Sequence, residues 1–173
     1  MKKFIVLLRG INVSGKNKLP MADLRELLIS LQFQNVQTYI QSGNIILESN
    51  LSKTEICELI NQGIKTKFDY DVPVLAKTIP EWEKAIEKYP YPTENEKIVA
   101  FTFLDKKTEI TTIEIKNIGE DLFKIENDLV YIYCPNGFGK SKITNNLFEK
   151  KLKITATTRN LRTTLKLLEL ANK

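Results

Sequence analysis

The sequence predicts an α+β fold built from two tandem ferredoxin-like (β-α-β-β-α-β) subdomains with antiparallel sheets. Three observations carry this expectation. The first 78 residues show strand, helix, two strands, helix and strand in that order. Short turn sequences join consecutive strands, and strands joined so tightly must run antiparallel. The second half then repeats much of the same order, although no residue-level repeat can be aligned. The expected organisation is an N-terminal subdomain over 1–78, a helix and linker over 79–96, and a C-terminal subdomain with a terminal helix over 97–173.

The elements follow from local chemistry. Phe4 to Leu8 is a continuous apolar run, read as a buried strand. Pro20 suits a helix start, and Met21, Leu24, Leu27, Leu28 and Leu31 recur at helical spacing over 20–32. Val36–Ile40 and Ile45–Glu48 read as a hairpin turning at Gln41-Ser42-Gly43-Asn44. Ser52 and Glu55 make a capping box, opening a helix over 53–67 with Ile56, Leu59, Ile60 and Ile64 inward. Val72–Lys77 closes the first sheet.

Thr78 and Glu81 form a second capping box, starting a helix through Lys88 whose Trp82, Ala85, Ile86 and Tyr89 share a face. Tyr89-Pro90-Tyr91-Pro92 then breaks it. Ile98–Leu104 is an apolar strand, and residues 107–117 are expected as a helix from the spacing of Ile110 and Ile113. Leu122–Glu126 and Leu129–Cys134 form a hairpin around Asn127-Asp128. Ser141 is placed to cap a helix carrying Ile143, Leu147 and Phe148. After a short extended piece near Ile154, Thr158 is placed to cap a last helix with Leu161, Leu165 and Leu168 inward.

Composition narrows the chemistry. The chain of 173 residues contains no histidine, which removes Ser-His-Asp and Cys-His activation and every His-ligated metal. Cys57 and Cys134 are far apart with no metal-type spacing, and Cys57 sits on the apolar face of its helix. Cys57 is therefore expected to be buried and Cys134, beside Pro135, to be partly exposed. No apolar run reaches the ~18 residues of a membrane span. The N-terminal apolar run is too short for a signal peptide, so a cytoplasmic location is expected. Residues 1–25 carry a net charge of +5 and residues 135–173 carry +7, whereas residues 26–134 carry −7. This asymmetry points to an anionic partner for the two ends.

Two stretches hold the densest polar donors. The first is Arg9-Gly-Ile-Asn-Val-Ser-Gly-Lys-Asn-Lys18, between a strand and a helix. Strand directions put it on the same rim as the Gln41–Asn44 turn. Together they offer Arg9, Asn12, Lys16, Lys18, Gln41, Ser42, Gly43 and Asn44 to a phosphate or carboxylate. The second runs from Pro135 through Asn136, Gly137, Lys140 and Ser141 to Lys142, with Arg159, Arg162 and Lys166 spaced for one helix face downstream.

Both stretches approach the pattern G-x-x-x-x-G-K-[ST] and miss it. Asn17 stands where the first needs a hydroxyl, and Cys134 where the second needs a glycine. Strand pairs joined by tight turns also disagree with the parallel sheet of a P-loop enzyme.

Leu8-Arg-Gly-Ile-Asn-Val13, Lys18, Met21, Tyr39-Ile-Gln-Ser-Gly-Asn44, Asn136-Gly137, Ser141-Lys142 and Thr157-Thr-Arg-Asn160 resemble the hallmark segments of a bacterial family, domain of unknown function 1697. The likeness runs over essentially the whole chain. It implies a small soluble α+β protein with ferredoxin-like subdomains, and no settled activity, cofactor or substrate. Leu161 departs from the pattern, since similar proteins carry tryptophan there.

The leading expectation is binding of a phosphorylated small molecule or nucleotide at the Gly/Asn-rich rim, completed by Lys140, Ser141 and Arg159. The alternative is RNA binding through the basic ends, for which Tyr131 and Tyr133 are the only strand aromatics with suitable alternation. A third reading is an interaction module with no ligand. The residues specify neither a reaction nor a cofactor.

Overall fold

The computed structural model describes residues 1–173. Its elements are β1 (Lys2–Leu8), α1 (Met21–Ser30), β2 (Gln34–Tyr39), β3 (Asn44–Ser49), α2 (Lys53–Phe68), β4 (Val74–Thr78) and α3 (Ile79–Glu87). They continue with β5 (Val99–Leu104), β6 (Leu122–Glu126), β7 (Leu129–Tyr133), α4 (Asn145–Leu152), β8 (Ala156–Asn160) and α5 (Leu161–Ala171). The protein is α+β, with two four-stranded antiparallel sheets and five helices. The chain divides into two units, residues 1–84 with 167–173 and residues 85–166.

In unit 1 the strand order is β2-β3-β1-β4, every neighbour antiparallel. Alternation along β1 sends Phe4, Val6 and Leu8 to one face, where they meet Ile45, Leu47 and Ala76 of the neighbouring strands. The apolar stripe of α1 (Met21, Leu24, Leu27, Leu28) and that of α2 (Ile56, Ile60, Ile64) close over this face. Ile5, Leu7, Ile46 and Leu75 point the other way and are also buried, which explains why β1 reads as a continuous apolar run. Each fully buried leucine or isoleucine contributes about 1.5–3 kcal/mol, so a charged residue at Ile60 would break the helix–sheet contact.

The capping boxes form as expected. Glu55 N–H donates to Ser52 Oγ while Ser52 N–H donates to Glu55 Oε2, and Thr78 and Glu81 repeat the exchange. Lys53 from α2 reaches Glu81 of α3 in an ion pair.

In unit 2 the order is β6-β7-β5-β8, again antiparallel throughout. Phe148 and Leu152 of α4 pack with Ala100, Leu104, Val130, Ile132 and Ala156. The helix expected over 107–117 is not formed. Thr111, Thr112, Ile113 and Ile115 are β-branched and lose side-chain freedom in a helix. Instead Ile113 and Ile115 turn inward at a spacing of two and, with Ile118, pack half-buried against the α4 face of the sheet. Ile110, whose spacing suggested the helix, is 41% exposed.

Three expectations for the C-terminal region are also corrected. Thr144, not Ser141, caps α4, its hydroxyl accepting from Leu147 N–H. Asn160, not Thr158, caps α5, accepting from Thr163 N–H, because Thr158 is held in β8 opposite Thr102. The buried positions of α5 are Leu161, Thr163, Thr164, Leu167 and Ala171, while Leu165 is exposed. The aliphatic Leu161 is itself buried, filling the position where similar proteins were expected to carry tryptophan.

Candidate functional site

The rim of unit 1 gathers three connections. Leu8 N–H donates to the Gly43 carbonyl at 2.8 Å, and Arg9 N–H to the Pro73 carbonyl at 3.0 Å. The end of β1 is thereby fixed to the β2–β3 turn on one side and to the chain entering β4 on the other. Gly43 lies at φ +79°, and an added Cβ would stand 2.6 Å from Leu8 Cβ. Only glycine fits a turn pressed this closely on β1.

Between β1 and α1 the chain makes a miniature hairpin. Lys16 N–H donates to the Val13 carbonyl at 2.9 Å and Asn12 N–H to the Asn17 carbonyl at 3.2 Å. Ser14 and Gly15, at φ 51° and 75°, turn it in the manner of a type I′ turn. Asn12 and Asn17 also adopt left-handed φ, as short polar side chains tolerate. Asn17 Nδ2 donates to the Gly10 carbonyl at 3.0 Å, closing the base of the hairpin.

Asn12 holds the assembly together. Its Nδ2 donates to the Leu19 carbonyl at 2.9 Å and the Gln41 carbonyl at 2.8 Å, while its Oδ1 accepts from Leu19 N–H at 2.8 Å. Asn44 is fully buried, donating to the Tyr39 carbonyl and to Ser42 Oγ, each at 2.9 Å. These two amides therefore serve the rim's own architecture. The exposed polar side chains are Ser14, Lys16, Lys18 and Gln41; Arg9 and Ser42 are half-buried.

Two apolar side chains that sequence reasoning passed over stand on the same rim. Val13 is 57% exposed at the hairpin, and Ile40 is 49% exposed beside Gln41. Ile40 adopts φ 50°, a conformation that is strained for a β-branched residue. The Ser14-Gly15 pair was a readable turn signal for the hairpin. Nothing local marked Ile40.

The second group of expected residues lies in unit 2. Asn136 Nδ2 donates to Glu120 Oε2 at 2.9 Å. Gly137, at φ 84°, donates to the Cys134 carbonyl at 2.8 Å, and Phe138–Lys140 follow as one turn of 3-10 helix. Lys140 is exposed. Ser141 Oγ accepts from Ile143 N–H at 2.9 Å and from Cys134 Sγ at 3.4 Å, so the hydroxyl supports its own loop. The strand leading into this turn, β7, is antiparallel to both its neighbours, in agreement with the argument against a P-loop.

Arg159 does not share a helix face with Arg162 and Lys166. It lies in β8 opposite Phe101, only 8% exposed. Its Nη1 donates to Thr157 Oγ1 at 2.7 Å and to the Thr158 carbonyl at 2.9 Å. Burial lowers its pKa to about 10. A guanidinium sunk in a sheet face is not an exposed anion reader.

The expected exposures of the cysteines are reversed. Cys134 is fully buried and Cys57 is half-buried. Burial pushes the Cys57 thiol up to about 11 and raises Cys134 as well. Tyr131 is 2% exposed and stacks edge-on with Tyr89 and Phe101, so it offers no face to a base. Tyr89 Oη donates to the Ile132 carbonyl at 2.7 Å, which ties that tyrosine into the packing. No group of three or more Cys, Asp or Glu side chains is placed to hold a metal ion. No helix is long and apolar enough to cross a membrane.

Comparison with known proteins supports the fold and leaves the activity open. The chain is similar to the solved structure of a conserved bacterial protein from Streptococcus pneumoniae, with a TM-score of 0.72, 21% identity and 98% of each chain covered. No curated protein shows a significant match. The family model described as "Protein of unknown function (DUF1697)" matches residues 1–131. With that match spanning most of its length, the chain belongs to the DUF1697 family.

Proposed function

We propose that the protein binds a phosphate-bearing small molecule or nucleotide at the rim of unit 1. Lys16 and Lys18, with Arg9 and Gln41 beside them, are the groups that would face the anion. Asn12, Asn44 and Gly43 would act one step back, fixing the backbone that carries them. The observation that carries this reading is Asn12, whose side chain joins two connections through three hydrogen bonds. A connection that merely spans β1 and α1 needs no such bracing. Rigid presentation lowers the ordering cost of binding. Strain at Ile40 on the same rim agrees, because such strain gathers at functional positions.

Lys140 and Ser141 are not needed for this reading, and Arg159 is excluded from it by burial. The RNA alternative loses its aromatic platform with Tyr131. We also read the two units as a ferredoxin-like duplication whose second copy has lost its first helix. Supporting this are the β-α-β-β-α-β order of unit 1 and the matching strand orders of the two sheets. The division at 1–78, 79–96 and 97–173 is proposed on the same ground.

The test is an amide NMR titration with inorganic phosphate, ATP, GTP and a sugar phosphate. The expected result is saturable shifts in residues 9–18 and 40–44 for at least one compound. Shifts confined elsewhere, or none with any compound, would contradict the assignment.

A further inference from the structure

We propose that unit 2 carries a docking groove for an extended acidic peptide, independent of the rim in unit 1. The groove, of ≈ 330 Å³, is lined by Glu114, Ile115, Lys116, Lys142, Leu147 and Lys151. It opens where the expected first helix of this unit is missing. One wall is the irregular segment through residues 114–116, and the other is α4 with the residue leading toward it.

Three features select the occupant. The first is charge: Lys116 on one wall and Lys142 and Lys151 on the other are all exposed. They face a single carboxylate, Glu114, and none of the three forms an ion pair with the protein. The second is the floor, where Ile115 and Leu147 are half-buried and aliphatic. The third is the backbone. From Thr111 to Glu114 no main-chain N–H or carbonyl is bonded to another main-chain group, and the chain turns only at Lys116 and Asn117. The side chains nevertheless alternate, with Ile113 and Ile115 inward and Glu114 and Lys116 outward. An alternating segment with unused backbone groups is a template for a pairing strand.

An acidic peptide with alternating apolar residues uses all three features at once. Its carboxylates meet the lysines, its apolar side chains cover Ile115 and Leu147, and its backbone pairs with residues 111–115. A small anion would satisfy only the lysines. A nucleic acid would find cations but no ring on which to stack a base.

The experiment is fluorescence anisotropy with a labelled peptide of about eight residues alternating Glu and Val, long enough in extended form to cross the groove. Binding should be saturable and should weaken about tenfold or more in the double variant K142E/K151E, whose folding is checked by circular dichroism. A peptide alternating Lys and Val should not bind. A Glu-Val peptide with N-methylated backbone should bind more weakly to the wild-type protein, a control that requires no variant. Equal affinity for the two peptide charges, or no loss in the double variant, would overturn the site. Undiminished binding of the N-methylated peptide would overturn the strand pairing. Displacement of the peptide by an oligonucleotide that binds more tightly to the same lysines would overturn the choice of partner.

Discussion

The side-chain amide of Asn12 donates to the backbone carbonyl of Gln41 at 2.8 Å, across 29 residues of sequence. This bond makes the β1–α1 loop and the β2–β3 turn a single rim. The same side chain satisfies both backbone groups of the fully buried Leu19. Asn12→Ala should therefore destabilise the protein by about 2–4 kcal/mol, from three lost hydrogen bonds. At this chain length that is a fall in Tm of roughly 5–15 °C. Asn12→Gly should be milder by about 1 kcal/mol, since glycine accepts the left-handed φ that alanine resists. Thermal unfolding of the two variants side by side checks the order.

Gly43 and Gly10 form a contrasting pair. Both have positive φ, at 79° and 72°, but a Cβ on Gly43 would collide with Leu8 Cβ at 2.6 Å and Ile11 Cδ1 at 2.9 Å. A Cβ on Gly10 would meet nothing within 4 Å. Gly10→Ala should lower stability by about 1–2 kcal/mol, the left-handed penalty alone. Gly43→Ala adds overpacking against the sheet and should lower it by about 3 kcal/mol or more. Urea unfolding of both proteins would show whether the clash, rather than backbone strain, dominates at Gly43.

Ile40 tests whether strain is stored for a purpose. It is half exposed at φ 50°, so little burial is lost when it is replaced. Ile40→Asn should raise stability by about 0.5–1 kcal/mol, because asparagine tolerates that region. If the rim is the binding surface, the gain in Tm should come with weaker ligand binding. A lower Tm would show that Ile40 packs better than its exposure suggests.

Glu126 gives unit 2 an acid dependence with a definite sign. Lys124 and Lys88 hold its carboxyl at about 2, against an ordinary value of 4.5. A carboxylate with a depressed folded pKa stabilises the native state above its unfolded pKa. That contribution is lost as pH falls from about 4.5 towards 2. Glu126→Gln should flatten this part of the stability curve while changing stability at pH 7 by less than about 1 kcal/mol, as the pair is near the surface. Denaturant unfolding across that range, wild type against variant, measures the difference.

The thiols should be slow. With the Cys57 thiol up at about 11 and Cys134 fully buried, neither forms much thiolate at neutral pH. A thiol reagent should label Cys57 first, at a rate that climbs with pH well beyond the range of an ordinary cysteine. Cys134 should label only on the timescale of unfolding.

What the sequence disclosed depended on the range of the interaction involved. The capping box of Ser52 and Glu55 spans three residues and carries its own geometry, so it could be read directly. The sheets were legible because turn chemistry dictates antiparallel neighbours. Residues 107–117 misled because Ile110 and Ile113 fit a helix, while Ile113 and Ile115 fit an extended chain equally well. The fold chose the second, where β-branched side chains are at ease.

The rim was visible as an excess of donors, but not the use of those donors. Whether Asn12 faces a ligand or the Gln41 carbonyl is decided by a contact between distant segments. Arg159 misled for a related reason. Its spacing to Arg162 and Lys166 suits a helix, yet pairing with Phe101 across β5 and β8 draws it into the sheet.

The central claim is that exposed cations on a braced rim bind an anion, and that bracing and binding reside in different residues. The most direct measurement is calorimetric titration, with Tm recorded on the same samples, of wild type and Lys16→Ala against the phosphate compound that shifts the rim resonances. Lys16→Ala should lose about ten- to a hundredfold in affinity, the value of one charge-assisted hydrogen bond. Its Tm without ligand should stay within about 2 °C of wild type, since an exposed lysine contributes little to stability. Unchanged affinity in Lys16→Ala, or a fall in Tm with no change in affinity, would contradict the account.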